Sequence, residues 1–437
     1  MAGLTTINMI RMKKYFYMSI AALLLAGCAD KVIDERPVKQ EQDDNYTYTK
    51  YQNPVIRNNC ADPSVIDDRE RTGYFYAYSS QNGTSGNADC IYLPVYKSAD
   101  MVNWELVGNA FGEQAKRPQW VPDTRVWAPD IEYINGRYVL YYALGSMNDP
   151  AVSACGVAVS DSPEGPFTWE NIKDLNPLAN EHGMLTNMAT QGISNNIDAN
   201  VVKDQQTGEL YLFWGSYGSN SGVWAIKMTD DGLALAPGAQ KTFISYEMEG
   251  TYIHYKNGYY YCFGSKGSCC AGKSSTYHIV VGRSKNILGP YEGRDGKLMN
   301  TRSTAFDNAT NTILSNPENL LFAGTGHDAE IITDDQGRDW MFYHAYWQGN
   351  NYNGRCMNMD EVVWGDGWPS FKGGHPSESK ISGPVLKKAG TKAAADVVDN
   401  DNAEALVETG DPCSCRNTWS LSAQGNDVKS YEVKIYE

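Results

Sequence analysis

No clustered run of lysine or arginine occurs in the 437-residue sequence, and 52 acidic side chains outnumber 37 basic ones, for a formal net charge of −15 at pH 7. Nucleic acids and anionic membrane surfaces are bound through clustered cations that neutralise phosphates. The composition therefore argues against nucleic acid or a membrane surface as a direct partner. We also expect a polyanionic substrate to be repelled.

Long apolar runs are missing as well. The apolar segment near the N-terminus, residues 15–26, is shorter than the about 20 residues that a membrane-spanning helix needs. It follows a short basic segment and ends just before Gly27 and Cys28. This order resembles a bacterial lipoprotein signal, in which the cysteine becomes the lipidated first residue of the mature chain; an ordinary cleaved signal peptide is the alternative.

Either interpretation exports the chain. The lipoprotein resemblance implies a signal peptide over residues 1–27, lipidation at Cys28 and a polar tether over residues 28–50. We therefore expect a protein of the outer membrane, the cell surface or the periplasmic face, attached to the membrane only through its lipid anchor.

The ten cysteines show no convincing zinc-binding pattern. Cys269 and Cys270 are adjacent, and Cys413 and Cys415 are closer together than the usual pairs of zinc ligands. Export permits disulfides, but we expect most of the cysteines to be small buried apolar residues.

A turn glycine followed by an aromatic-rich run occurs five times along the chain. Such a run after a turn is typical of the second strand of a hairpin. The intervals between copies hold about four short strands each, and four-stranded units repeated around an axis form a β-propeller. The five glycines are Gly73, Gly136, Gly208, Gly258 and Gly337.

The repeat predicts an all-β fold. We expect a five-bladed β-propeller over residues 51–385, acting as a monomer, and then a linker with a short C-terminal extension of unknown role over residues 386–437. A pair of β-sandwiches is the alternative architecture, but it would not place an ionisable residue at the same point of successive units.

The start of the strand before each turn glycine carries an ionisable side chain in four of the five units. In a propeller the first strand of each blade lines the central channel, so equivalent positions converge on one place. The five positions are Asp62, Ala128, Asp198, Glu249 and His327.

Three carboxylates at one channel mouth provide what the cleavage of a glycosidic bond needs. Asp62, whose backbone is restricted by the following proline, is the candidate general base. Glu249 has the longer reach toward a leaving group and is the candidate general acid. An ionised Asp198 nearby would raise the pKa of Glu249 by like-charge repulsion.

Other residues near these motifs have competing interpretations. Glu247 competes with Glu249 for the role of acid. Asp130 and Glu132 are interpreted as rim or hydrogen-bonding residues in preference to a catalytic role, and His344 as a structural residue. Predicted substrate contacts are Trp127, Asp130, Asn196 and Ser216, and further candidates for stacking on sugars are Tyr133, Trp214, Trp224 and Trp347.

His327 occupies the fifth channel position and could be a core histidine, a substrate contact or a metal ligand. Since carboxylates and water are hard ligands, Ca²⁺ held near His327 partly through water is plausible. We predict no organic cofactor.

Together these motifs resemble those of glycoside hydrolase family 43, and the resemblance covers about residues 50–385. It implies a five-bladed propeller that acts on arabinose- or xylose-containing glycans with inversion, with Asp62 as base, Asp198 as pKa modulator and Glu249 as acid. The motifs are Ala61-Asp62-Pro63-Ser64, Trp127-Ala128-Pro129-Asp130, Asn196-Ile197-Asp198-Ala199-Asn200 and Glu249-Gly250.

Within that family, Cys269-Cys270 and its surroundings and Gly324-Thr-Gly-His327 look like endo-acting α-1,5-L-arabinanases. That resemblance implies cleavage of internal bonds in a neutral arabinose-containing polysaccharide and a central calcium held by His327. Alanine follows Asp198 where proline is frequent in the family, which we do not expect to alter the chemistry. Inversion requires the Asp62 and Glu249 carboxyl groups to lie roughly 6.5 to 9.5 Å apart, with a water between base and sugar.

Three other functions are open from the sequence. An exo-acting α-L-arabinofuranosidase or β-xylosidase would use the same scaffold with a blocked channel. A non-catalytic glycan-binding propeller would have no need of three acids in phase. A sialidase is suggested only by the segment from Ser98 to Trp104, and no arginine triad accompanies it.

Overall fold

The computed structural model describes residues 5–8, 43–57, 59–82, 90–218, 222–316, 321–388, 419–422 and 431–433. The chain divides into two compact units. The larger unit, Asp44–Ala389, contains five meander sheets in chain order, each of at least four strands. The predicted all-β, five-bladed propeller is therefore confirmed.

The first two described strands precede the blades: β1 is Thr5–Asn8 and β2 is Tyr46–Tyr51. Blades 1 and 2 follow, and within each the strands pair in chain order. Their strands are β3 Ser64–Asp67, β4 Phe75–Tyr78, β5 Pro94–Ser98 and β6 Glu105–Asn109 in blade 1, and β7 Arg125–Ile134, β8 Arg137–Gly145, β9 Ala154–Ser160 and β10 Met184–Asn187 in blade 2.

Blades 3 to 5 repeat this arrangement, except that the first strand of blade 5 is divided into two short strands that both pair with β21. Their strands are β11 Asn200–Lys203, β12 Leu210–Trp214, β13 Val223–Lys227 and β14 Thr242–Ser245 in blade 3, β15 Glu249–Lys256, β16 Tyr259–Lys266, β17 His278–Ser284 and β18 Thr312–Leu314 in blade 4, and β19 Phe322–Gly326, β20 Ile331–Thr333, β21 Asp339–Trp347, β22 Arg355–Gly365 and β23 Trp368–Phe371 in blade 5.

Helices are short in the described residues. The two α-helices are α1 Ile172–Leu175 and α2 Met188–Gln191, which flank β10. Single 3₁₀ turns occur at Gln114–Lys116, Pro150–Val152, Gly272–Ser274, Thr304–Phe306, Gln348–Asn350 and Lys372–Gly374.

The turn glycines of the repeat lie directly before the second strand of each blade, as predicted. All five have positive φ, between 79° and 87°. Glycine adopts this conformation without the steric cost that a side chain brings, so the hairpin turn is set locally by the sequence.

Hydrophobic clusters fill the space between neighbouring blades. Tyr78 of blade 1 packs in one cluster with Leu140 of blade 2. Phe75 of blade 1 shares another with Phe342 of blade 5, so the first and last blades are joined in the same way as the others. The aromatic residues that mark the repeat are thus the packing layer of the propeller.

A second connection between neighbouring blades is a ring of hydrogen bonds around the channel. In each blade one polar side chain of the first strand accepts from a backbone N–H of the next blade, and blade 5 returns to blade 1. The pairs are Ser64 with Ile131 (3.1 Å), Asp130 with Val201 (2.8 Å), Asn200 with Ile253 (3.1 Å), Tyr252 with Ile331 (3.4 Å) and Glu330 with Val65.

The ends of the propeller unit pair with each other through β2 and β24, where β24 is Ile381–Lys387. The strand bounds differ from the predicted segments at two points. The strand β2 begins at Tyr46, inside the predicted tether of residues 28–50, and β24 continues past the predicted propeller end at residue 385.

The smaller unit comprises Met1–Asp43 and Gly390–Glu437. Its described residues form a three-stranded sheet in the order β1, β25 and β26, where β25 is Trp419–Ser422 and β26 is Tyr431–Val433. Cys28, most of the predicted signal peptide and most of the tether lie outside the described residues, so lipidation stays a prediction. Within the described part, no helix has the length and apolarity needed to cross a bilayer.

Candidate active site

Three carboxylates from blades 1, 3 and 4 meet at the channel. Asp62 and Asp198 are each only 7% exposed, and the Glu249 side chain is half-buried. The negative charge of Asp62 raises the pKa of both other carboxyls, so the three groups interact electrostatically. The structure thus brings together the three residues that the repeat placed in phase.

A left-handed backbone residue begins the inward-facing part of each blade. Four of the five predicted positions, Asp62, Ala128, Asp198 and His327, have φ between 39° and 59°. In blade 4 the equivalent residue is Gly250 (φ 54°), so the predicted equivalence of Glu249 is wrong by one residue.

Glycine is required at this point of blade 4. A Cβ added to Gly250 would lie 2.9 Å from His327 Nδ1. The backbone N–H of Gly250 donates to Asp198 Oδ2 at 2.9 Å. Since Gly250 takes the left-handed turn, the preceding Glu249 contributes its side chain to the cluster.

The Asp62 carboxylate is held by groups from three sides. Arg355 Nη1 donates to Oδ1 at 2.6 Å, and Ser80 Oγ donates to Oδ2 at 2.6 Å. His327 Nδ1 lies 3.3 Å from Oδ1. His344 Nδ1 accepts from the Asp62 backbone N–H at 3.1 Å and lies 3.1 Å from Oδ1.

These contacts keep Asp62 ionised. Burial alone would raise the pKa of Asp62, but the charge of Arg355 holds it well below its usual range. Burial and the same arginine lower the pKa of His344 to about 3, and burial lowers that of His327. Both histidines are therefore neutral beside an ionised carboxylate at neutral pH.

Glu249 has hydrogen-bond donors at both oxygens. Ser216 Oγ donates to Oε2, and Tyr277 OH donates to Oε1 at 2.9 Å. The ring of Tyr277 is stacked on that of His344, with centroids 5.6 Å apart. One aromatic stack therefore connects the residues around Asp62 with those around Glu249.

The pKa of Glu249 is raised, in the predicted direction, but the main cause differs from the prediction. Burial comes first and the charge of Asp62 adds to it, while the bonds from Ser216 and Tyr277 act the other way. Burial and the neighbouring Glu249 and Asp62 also raise the pKa of Asp198. Asp198 and Glu249 are thus neighbouring carboxyl groups, and an ionised form of either one favours a proton on the other.

Glu247, the competing candidate acid, lies just before β15 with φ 39°. Its backbone carbonyl oxygen accepts from Lys266 Nζ at 2.6 Å, and its carboxylate raises the pKa of the Tyr246 hydroxyl. The two-residue spacing that suggested a shared strand face with Glu249 does not apply, because the strand begins only at Glu249.

Two of the four predicted substrate contacts are buried and hydrogen-bonded within the protein. Asp130 is buried in the interblade ring, where it accepts from Asn200 Nδ2 (2.9 Å) and Val201 N. Asn196 is fully buried, and its side chain bonds Trp214 Nε1 and Ile193 O. For Asp130 these contacts match the hydrogen-bonding alternative.

Ser216 contacts the Glu249 carboxylate, so the structure ties it to the predicted acid. Trp127 is half-buried on β7, next to Ala128, whose backbone N–H bonds the same Ser80 hydroxyl that donates to Asp62. The Trp127 ring lies where a Cβ on residue 145 would stand, so glycine at position 145 leaves the space that the ring occupies.

The other stacking candidates differ in accessibility. Trp214 is completely buried, and Tyr133 packs against Tyr138 below the guanidinium of Arg71. Trp224 packs against Phe243 in blade 3, with Lys241 over its ring. The half-buried Trp347 at the end of β21 carries Arg57 over its ring, 5.3 Å from the centroid.

Sequence reasoning missed the partners that hold the carboxylates. Arg355, Tyr277 and Ser80 lie on second or third strands or in loops, outside the repeated position, and His344 was interpreted as structural only. Tyr277 lies shortly after Cys269-Cys270, in the segment that resembles the endo-arabinanases, and that resemblance is the signal that could have identified it. The repeat offered no signal that could have identified Arg355.

The donor set near His327 is compatible with a hydrated cation. Asp62, His327 and His344 each place one possible ligand atom within 4.8 Å of the others. Asp328, 4% exposed, lines a small cavity with His327, and among the described residues neither of its carboxylate oxygens has a hydrogen-bond partner. Buried unpartnered carboxylate oxygens are ligands that Ca²⁺ prefers.

A carboxylate with a lowered pKa near a carboxyl group of raised pKa, at the channel of a propeller, is an arrangement suited to glycoside hydrolysis. The sequence agrees with this class, because residues 51–369 match the model of glycosyl hydrolases family 43. The chain belongs to glycosyl hydrolases family 43.

Its relatives in the family include exo-acting and endo-acting enzymes named for α-1,5-L-arabinofuranosidic bonds. An extracellular exo-α-(1→5)-L-arabinofuranosidase from Cellvibrio japonicus is 30% identical over 63% of this chain and 79% of its own. The extracellular endo-α-(1→5)-L-arabinanase 1 of Bacillus subtilis is 30% identical over 64% and 80%. A Cellvibrio cellulosa α-L-arabinanase complexed with arabinohexaose superposes with a TM-score of 0.58 at 26% identity, covering 72% of this chain and 96% of that one.

Proposed function

We propose that this protein is an inverting endo-arabinanase that cleaves internal α-1,5-L-arabinofuranosidic bonds. The observation that carries the proposal is the cluster of Asp62, Asp198 and Glu249, with the first carboxylate kept ionised and the pKa of the other two raised. The similarity to named arabinanases supports arabinan as substrate. The names of the extracellular relatives also support the expected export.

In the proposed mechanism Asp62 is the general base and Glu249 the general acid. Asp62 accepts a proton from the water that attacks the anomeric carbon, while Glu249 donates its proton to the departing glycosidic oxygen. Arg355 and Ser80 orient the base, and Ser216 and Tyr277 orient the acid. The hydrogen-bonding partners of the two carboxyl groups are different residues, and the stack of Tyr277 on His344 connects the two sets.

Incubation with debranched linear arabinan is expected to release a ladder of arabino-oligosaccharides from the start of the reaction. An aryl α-L-arabinofuranoside, which offers only one sugar unit, is expected to react slowly. Chromatography of early products and release of the aryl alcohol measure the two activities.

Immediate formation of arabinose alone, with fast cleavage of the aryl glycoside, would show the exo-acting alternative. NMR of the first products tests the stereochemistry independently. Inversion gives a β-configured reducing end, and an α-configured one would contradict the water-mediated mechanism.

Replacing Asp198 by Asn is expected to move the alkaline limb of the pH–rate profile to lower pH and to lower kcat about tenfold or more. A general acid acts only while protonated, so activity falls as pH rises through its pKa. The Glu249 charge raises the pKa of Asp198, so by reciprocity an ionised Asp198 favours a proton on Glu249, and Asn removes that effect.

Asp366→Asn is the matched control, because Asp366 is also left-handed (φ 51°) but exposed and outside the cluster. The proposed coupling is wrong if Asp198→Asn leaves the alkaline limb where it is in the wild type.

We also propose that Ca²⁺ binds near His327, partly through water. Asp62, His327 and His344 are the residues that could hold it, and the ion would supply positive charge near the reacting groups. Calorimetry on metal-free protein is expected to show one Ca²⁺ site that His327→Gln weakens by about tenfold or more. Equal Ca²⁺ affinity in wild type and variant would remove His327 from the site.

A further inference from the structure

A polar groove lies on the outer side of blade 1, next to the β2–β24 pair. Its volume is about 720 Å³, within the range of about 300 to 1,000 Å³ that is typical of ligand pockets. None of the three clustered carboxylates lines it. Its lining residues come from the β2 segment, from the edge of blade 1 and from the start of β24: among them Lys50, Arg57, Tyr74, Lys97, Trp104 and Lys380.

The charge of this groove is opposite to that of the chain. The groove is lined by four cations, Lys50, Arg57, Lys97 and Lys380. Glu105 is the one acidic residue among the described residues that line it. The chain as a whole has a net charge of −15. A local excess of cations on an acidic protein marks a place that attracts anionic groups while the rest of the surface repels them.

Two of the four cations of the groove have no ion-pair or ring partner among the described residues. In the described part of the chain, neither Lys50 nor Lys380 has an ion-pair partner, and both are exposed. Lys97 is shared between Glu164, 3.3 Å away, and the ring of Tyr74, whose centroid lies 5.0 Å from Nζ. Two ammonium groups are therefore available to a ligand without breaking an existing ion pair.

Aromatic rings accompany these cations. Tyr74 is 38% exposed, which is unusual for a large aromatic residue in this protein. Trp104 is held by a bond from Nε1 to Met101 O (2.9 Å) and by an edge contact with Phe342. Exposed and fixed aromatic rings provide flat apolar surface for the C–H faces of sugars, and cations bind carboxylates.

We propose that this groove is an accessory binding site for an acidic glycan, a polysaccharide segment whose sugars carry carboxylates. Its ammonium groups would bind the uronate carboxylates and Tyr74 would stack on a sugar ring. Such a site would hold the enzyme on a polysaccharide that contains acidic and neutral sugars while the neutral part is cleaved elsewhere. The expectation that the acidic chain repels polyanions would then hold for most of the surface but not for this groove.

Affinity electrophoresis of the full chain in gels that contain polygalacturonate tests the proposal without any hydrolysis. The wild type is expected to be retarded, and Lys50→Gln with Lys380→Gln is expected to raise the apparent Kd by about five- to tenfold. Lys173→Gln with Lys203→Gln is the matched control, because both residues are exposed outside the groove and the net charge changes equally. Equal weakening in both double variants, or no retardation of the wild type at low salt, would overturn the proposal.

Tyr74→Ala separates glycan binding from general attraction to polyanions. It is expected to weaken binding of polygalacturonate but not of poly-L-glutamate, which has similar carboxylates and no sugar rings. Wild-type binding to poly-L-glutamate as tight as to polygalacturonate, together with no effect of Tyr74→Ala, would overturn the assignment to a glycan. Hydrolysis of a short neutral arabino-oligosaccharide is expected to be unchanged in every groove variant, so failure of this proposal and failure of the proposed function are distinguishable.

Discussion

Replacing Glu249 by Gln is expected to lower kcat/KM on linear arabinan by about 10³-fold, within the range that general acid catalysis contributes. Gln has nearly the shape of Glu but no proton of suitable acidity for the leaving oxygen. Ser216 and Tyr277 still have an amide to contact, so we expect little change in the melting temperature. Initial rates on linear arabinan and thermal unfolding measure the two effects.

The dependence on the leaving group identifies the role of Glu249. A 2,4-dinitrophenyl aglycone leaves as a stable anion without protonation. The Glu249→Gln variant is therefore expected to cleave an arabino-oligosaccharide that carries this aglycone at close to the wild-type rate. Glu247→Gln is the matched control and is expected to retain activity on both substrates. A large loss in Glu247→Gln with activity retained in Glu249→Gln would exchange the two assignments.

Replacing Asp62 by Asn is expected to lower kcat by about 10³-fold or more on both arabinan and the dinitrophenyl substrate. The variant cannot take a proton from water, and a better leaving group does not compensate for that. Asn tolerates the left-handed backbone of Asp62 (φ 51°), so the backbone is expected to remain as it is. Initial rates on the two substrates separate the base from the acid.

Loss of the Asp62 charge also leaves the half-buried Arg355 without its anion. We therefore expect a lower melting temperature for Asp62→Asn, and kinetics must be measured below it. Asp366→Asn again controls for the substitution itself. Recovery of the rate of Asp62→Asn on the dinitrophenyl substrate would contradict its role as base.

Much of the fold was predictable because the signals are local. A turn glycine and the aromatic run after it form one hairpin, and hairpin geometry depends on a few neighbouring residues. Repetition of that hairpin five times was enough to predict five blades. The same repeat predicted that Asp62, Asp198 and Glu249 lie near one another.

The error at Glu249 shows the limit of the repeat. Spacing from the turn glycine cannot distinguish Glu249 from Gly250, since strand lengths vary by a residue between blades. The left-handed φ of Gly250 and its approach to His327 decide which residue takes the turn. Asp130 and Asn196 were assigned to the substrate for a related reason, because adjacency to a motif does not show whether a side chain is buried.

The sequence by itself determined the number of blades and the identity of the three carboxylates. Only the tertiary structure decided which groups hold them and what their pKa shifts are. Arg355 and Asp62 are separated by 293 positions in the chain, and they meet because blade 5 closes the ring against blade 1. Contacts of this kind depend on the packing of whole blades, and burial, which is the first cause of the raised pKa of Glu249, exists only once the blades have packed.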